Sequence, residues 1–97
     1  MIEHIVLIKL SPETTEEQKQ ELIRRTLLLK DKLPGIVDMQ QGINFSSRSQ
    51  GYHIGLTVRF KDKVSLDHYG PHPEHQKIVS YLKEIGLEDI IVVDFEI

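Results

Sequence analysis

Eight consecutive residues, His68-Tyr69-Gly70-Pro71-His72-Pro73-Glu74-His75, hold three of the chain's five histidines, one of its three tyrosines and two of its four prolines. Phenol and imidazole are side chains that give and take protons, imidazole near neutral pH. Three roles are open to them. The first is metal binding, because imidazole is the commonest zinc ligand and such sites gather three or four ligands. The spacing argues against it: Gly70-Pro71 breaks any helical face common to His68 and His72, and only Asp67 and Glu74 stand nearby as carboxylates. No metal is expected. The second is acid–base work on a carbonyl compound by Tyr69 and His75 as catalytic pair. The third involves no chemistry, with the two side chains bonded to each other and to backbone, which satisfies buried polar groups. His72 reads as a helix cap and His68 as a solvated helix residue.

The elements that must position these groups follow from hydrophobic period and breakers. Pro73 suits the first position of a helix capped by His72. His75, Ile78, Val79, Leu82 and Ile85 then recur at helical spacing, which puts His75 on the buried stripe until Gly86 closes the helix. A short helix over 64–69 precedes it and ends at Gly70-Pro71. The first strand, 3–10, carries His4, Val6, Ile8 and Leu10 on the face assigned to the core, with Ile5 and Leu7 on the other. A helix from a Thr14 or Thr15 cap to about Lys32 follows, its stripe formed by Leu22, Thr26, Leu29 and Leu33 and widened by Ile23 and Leu27. Leu33-Pro34-Gly35 stops it. Residues 36–45 and 52–60 read as a hairpin around a polar connector, with Tyr52, Ile54, Leu56, Val58 and Phe60 on the core face. The last strand, 90–95, sets Ile91, Val93 and Phe95 against Ile90, Val92 and Asp94.

Strand, helix, strand, strand, helix, strand is the α+β, ferredoxin-like βαββαβ order, a four-stranded antiparallel sheet with both helices on one face. Residues 1–97 are expected to form one domain. The uncovered face, to which Ile5, Leu7, Ile90 and Val92 are assigned, is too apolar to stay wet, so a second copy packing sheet against sheet is expected: a homodimer. A net charge of −3 with scattered lysines and arginines gives no surface for nucleic acid. The absence of cysteine removes disulfides, thiolate chemistry and sulfur-ligated metals, and points to the cytoplasm. No basic leader precedes the first strand and no apolar run approaches the roughly 18 residues of a membrane span, so neither secretion nor membrane insertion is expected.

Together, His4 with the strand ending in Lys9-Leu10, Leu33-Pro34-Gly35-Ile36, Gly42-Ile43-Asn44, Gly51-Tyr52, Val58-Arg59-Phe60, Tyr69, His72-Pro73-Glu74-His75 and Val93-Asp94-Phe95 resemble the stress-responsive dimeric α/β-barrel (Dabb) family over nearly the whole chain. Tyr-x-x-His-Pro-x-His is the most specific piece. The resemblance implies a homodimer whose sheets pair into a barrel, and a pocket between sheet and helices. In one plant branch, polyketide cyclases, a Tyr and a His at the positions of Tyr69 and His75 carry an aldol-type ring closure without a cofactor, and His4 matches a third pocket residue. Those relatives have a histidine where this chain has Ile54, a phenol where it has Thr26, and a small glycine near Val79. The substitutions imply a drier and smaller substrate-binding pocket around His4, Thr26, Ile54 and Val79, unsuited to a long polyketide. Three functions stay open: a small-molecule-binding or cofactor-free enzyme domain, a non-catalytic stress-associated dimer with a filled core, and an association or regulatory module. A cavity reaching Tyr69 and His75 distinguishes the first from the second.

Overall fold

The computed structural model describes all residues, Met1–Ile97. The chain runs β1 (Ile2–Leu10), α1 (Glu16–Leu27), α2 (Leu29–Lys32), β2 (Ile36–Ile43), β3 (Tyr52–Phe60), α3 (Lys63–Tyr69), α4 (Pro73–Ile85) and β4 (Leu87–Glu96). The strands form one antiparallel sheet in the order β2-β3-β1-β4. This is the ferredoxin-like order, with the first and last strands as neighbours.

Local sequence explains the boundaries. Thr15 caps α1 in a reciprocal capping box with Gln18. The expected single helix to Lys32 is interrupted at Leu28: the Thr26 hydroxyl donates to Leu22 O at 2.8 Å, and Asp31 N bonds to Leu28 O one residue short of the α-helical spacing. Leu27 therefore ends up exposed instead of widening the stripe, while Leu22, Thr26, Leu29 and Leu33 are buried. The turn after α2 requires glycine, because Gly35 has φ +91° and a Cβ there would fall 2.3 Å from Ser65 Oγ on α3. Gly86 ends α4 in the left-handed region, at φ +116°.

Phe60, Leu10, Leu22, Leu29, Ile54 and Val58 are the largest fully buried side chains. They bind the helices to one face of the sheet, and truncating Phe60 to alanine should cost about 3–5 kcal/mol.

Two expectations about strand faces need correction. In the β1–β4 ladder Ile5 faces Val93 and Leu7 faces Ile91, whereas Val6 faces Val92 and Ile8 faces Ile90. Directly paired residues point to the same side, so Ile90 and Val92 belong to the helix side and the open face carries Ile91, Val93 and Phe95 with Ile5 and Leu7. The hydrophobic pattern of β4 is apolar on both sides, and only the register decides between them. The second correction is Tyr52. The register slips between Ile8, opposite Ile54, and Lys9, opposite Tyr52, leaving His53 as the extra residue of a bulge. Tyr52 thereby leaves the core face for the open one, where its hydroxyl donates to Asp89 Oδ2 at 2.6 Å and Lys9 Nζ lies 4.9 Å from its ring centre.

Candidate functional site

Tyr69 is the last residue of α3 and is only 5% exposed. Gly70-Pro71 turns the chain at once, and α4 starts at Pro73 with His72 Nδ1 accepting from Glu74 N at 3.1 Å. One turn into the helix, His75 folds back: its Nδ1–H donates to Gly70 O at 2.9 Å. This fixes the tautomer and leaves Nε2 as the acceptor. The rings of Tyr69 and His75 are 4.2 Å apart between centroids. From β1, His4 meets Tyr69 edge-on at 5.9 Å. Thus the chain places His4, Tyr69 and His75 together from three different elements.

An apolar cavity of about 210 Å³ lies between the sheet and the helices. His4, Thr26, Tyr69, His75 and Val79 all line it. Ile54 does not: it is wholly buried beneath the helices, and its place in the expected substrate-binding set is corrected to core. Thr26 lines the wall with its hydroxyl already donated to Leu22 O. A larger cleft of about 500 Å³ lies on the other side of Tyr69, between the Leu33–Gly35 turn and α3. It reaches neither His4 nor His75, so the proton-transfer groups converge on the smaller cavity. His68 and His72 line the cleft instead.

Burial sets the protonation of the pair. Loss of solvation pushes the Tyr69 phenol up to about 12. Loss of solvation also lowers His75 from its ordinary value, and its bond to Gly70 O offsets this in part. At neutral pH Tyr69 is a hydrogen-bond donor and His75 a neutral base. The Tyr69 hydroxyl has no hydrogen-bond partner in the protein, yet it is not sealed: Gln41 Oε1 alone is both sealed and partnerless.

Sequence reasoning missed two members of the site. Asp94 Oδ1 lies 2.5 Å from His4 Nδ1, opposite it in the β1–β4 ladder. This contact orients the imidazole as a carboxylate–histidine pair and, in the neutral ring, turns Nε2 into the acceptor. Asp94 shares its alternation with Ile90 and Val92, so the register that misplaced those two also hid it. Gln41 of β2, paired with Leu56, lines the far side of the cavity. No three His, Asp or Glu side chains are grouped so as to hold an ion.

The family model of the stress responsive A/B barrel domain (Dabb) matches residues 2–97. The chain belongs to that family. Olivetolic acid cyclase of Cannabis sativa is 26% identical to this chain over 76 residues, covering 76% of this chain and 75% of the cyclase. A dimeric ferredoxin-like protein from Jannaschia sp. CCS1 is 31% identical, with a TM-score of 0.82 over 99% of this chain and 98% of that one. Hydroxynitrile lyase from Passiflora edulis, 16% identical, shares the fold at a TM-score of 0.86 over 99% of this chain and 92% of the lyase.

Proposed function

We propose that the protein is a homodimer in which each protomer binds a small carbonyl compound in the cavity under α4 and, without a cofactor, moves a proton on it. One observation carries the reading: an apolar cavity brings a protonated phenol, Tyr69, against a neutral imidazole, His75, with a second imidazole, His4, held by Asp94. Tyr69 donates its hydrogen bond to the carbonyl oxygen. His75 Nε2 takes a proton from the adjacent carbon, the C–H electron pair moves into the enolate, and Tyr69 stabilises the oxyanion. Return of that proton from the imidazolium, to carbon or to an acceptor oxygen after a new bond has formed, closes the cycle. The cyclase relative, acting through its own substrate, is the sequence support for this class of reaction. At about 210 Å³ the cavity is smaller than the ~300–1,000 Å³ of drug-sized sites, which favours a compact substrate over a long polyketide.

The dimer reading is supported by the open sheet face, where Ile5, Leu7, Ile91, Val93 and Phe95 form an apolar patch, and by structural neighbours described as dimeric ferredoxin-like proteins. A thermal-shift screen of small ketones and aldehydes should find compounds that raise the melting temperature of the wild type and not of His75→Ala. For any that bind, deuterium exchange at the carbon beside the carbonyl should be accelerated. Tyr69→Phe should cut that exchange about 10²–10⁴-fold while leaving binding largely intact. Because the Tyr69 hydroxyl has no partner to lose, the substitution should also be close to neutral for stability. Unchanged exchange in Tyr69→Phe would refute the catalytic reading.

A further inference from the structure

We infer that the cleft behind Tyr69 is a second binding site, for a compact organic carboxylate with an aromatic or branched apolar body. At about 500 Å³ this cleft falls within the ~300–1,000 Å³ of small-molecule sites, which the cavity under α4 does not. Its walls come from the Leu33–Gly35 turn, the segment Phe60–Asp62 and α3. They are tied to one another. Lys61 N donates to Gly35 O at 2.9 Å, and Gly35 lies so close to Ser65 that a Cβ would not fit between them. The walls therefore keep their spacing without a ligand, and little ordering remains to be done on binding. Tyr69 belongs to both linings, and His4 and His75 line only the smaller cavity. The second site thus stands apart from the chemistry proposed for the first.

The lining sets the ligand's chemistry. Phe60 and Tyr69, edge to face at 5.1 Å, are buried together with Leu33, and Val64 carries the apolar surface out to solvent at 59% exposure. Lys61, His68 and His72 supply the polar part. The Lys61 ammonium takes no part in the ion pairs of the chain. His72 Nδ1 accepts from Glu74 N, so the neutral ring carries its proton on Nε2, as a donor. One carboxylate lines the cleft, that of Asp62, and its Oδ1 already accepts from Ser65 N at 2.9 Å and Ser65 Oγ at 2.7 Å in capping α3. The free groups are therefore donors, and an ammonium with an imidazole N–H matches the two oxygens of a carboxylate.

3-Phenylpropanoate, 3-phenylpropanol and 3-phenylpropylamine share one body and differ in charge. In an NMR titration of the wild type, the acid should give saturable shifts at the amides of Lys61, Ser65 and His68. It should bind about fivefold tighter than the alcohol, the worth of one exposed ion pair, and the amine should bind most weakly. Lys61→Met keeps the stem and removes the charge, and it should bring acid and alcohol to parity. Val64→Glu sets a carboxylate at an exposed position of the lining and should abolish binding of the acid in a chain that keeps the native amide spectrum. His75→Ala should bind the acid as the wild type does. The absence of saturable shifts, or shifts confined to Val79 and Leu82 in the smaller cavity, overturns the inference. So does an amine that binds as tightly as the acid, a preference that survives Lys61→Met, or binding that is lost in His75→Ala.

Discussion

β1 and β4 lie side by side and carry almost the same pattern, apolar residues on both alternating faces, yet their fates differ. Val6, Ile8 and Leu10 are 5%, 3% and 1% exposed, whereas Ile90 to Val93 are each between 41% and 49% exposed. The difference is position. β1 is flanked by β3 and β4 and roofed by helices, while β4 is an edge strand with little above or below it. Apolar patterning states that a strand is to be covered; it does not state by what. For β1 the cover is the chain itself, and for β4 the proposed cover is a second copy, with the helix-side residues Ile90 and Val92 left to wall the cavity.

Charge substitutions should break this comparison most sharply. Leu7→Asp should weaken the dimer more than about 100-fold, since an unpaired carboxylate buried in an apolar interface costs several kcal/mol, and sedimentation should show monomers. Val93→Asp should do the same. Its neighbour Val92→Asp should leave the sedimentation coefficient dimeric and abolish ligand binding instead. A native protein that sediments as a monomer at micromolar concentration would refute the dimer, and matching effects at 92 and 93 would refute the register.

The buried side of the comparison should appear as pH dependence. Below pH 10 the Tyr69 phenol is protonated whether the chain is folded or not. Between its ordinary value of 10.0 and about 12 the unfolded chain loses a proton that the native one keeps. Stability therefore falls as pH rises through that window, by up to about 3 kcal/mol. At the acid end the sign reverses: His75 is depressed below 6.5, so the unfolded chain takes up a proton first and stability falls as pH drops below 6.5. Denaturant midpoints measured across pH should show both limbs, and Tyr69→Phe should flatten the alkaline one.

The smallest expected effect is none. Chelator should leave the melting temperature unchanged, because the histidines are not gathered with each other or with carboxylates into a set of three ligands. A fall that zinc restores would show a ligand set.

The fold was legible in the sequence because its signals are local: the Thr15 capping box, the Pro73–Gly86 helix and the alternation of β3 each specify an element without reference to the rest. His75 and His4 were legible for the same reason, each lying on a stripe or face that its own neighbours define, and Tyr69 was legible from its place just before the Gly70-Pro71 turn into α4. What escaped depended on pairing between distant strands. The faces of Ile90, Val92 and Asp94 and the bulge that turns Tyr52 outward are matters of register, whereas Ile54 keeps its expected core face and is buried too deeply to reach the cavity wall. A one-residue slip reverses every side chain. Gln41 escaped because a glutamine in a loosely alternating segment gives no sign that its carbonyl will be sealed.

The contact between His4 and Asp94 spans 90 residues of chain, and Ile2 pairs with Glu96, so β1, made well before β4, needs β4 to complete its ladder. Closing so long a loop must be compensated before the contact yields anything. Folding should therefore nucleate in the β2–β3 hairpin and its packing on β1, with β4 docking late. Until it docks, the strip from Ile90 to Val93 is an open invitation to aggregation. The carboxylate that orients His4 thus arrives last, and a chain stalled short of its final strand has most of its core but no finished site.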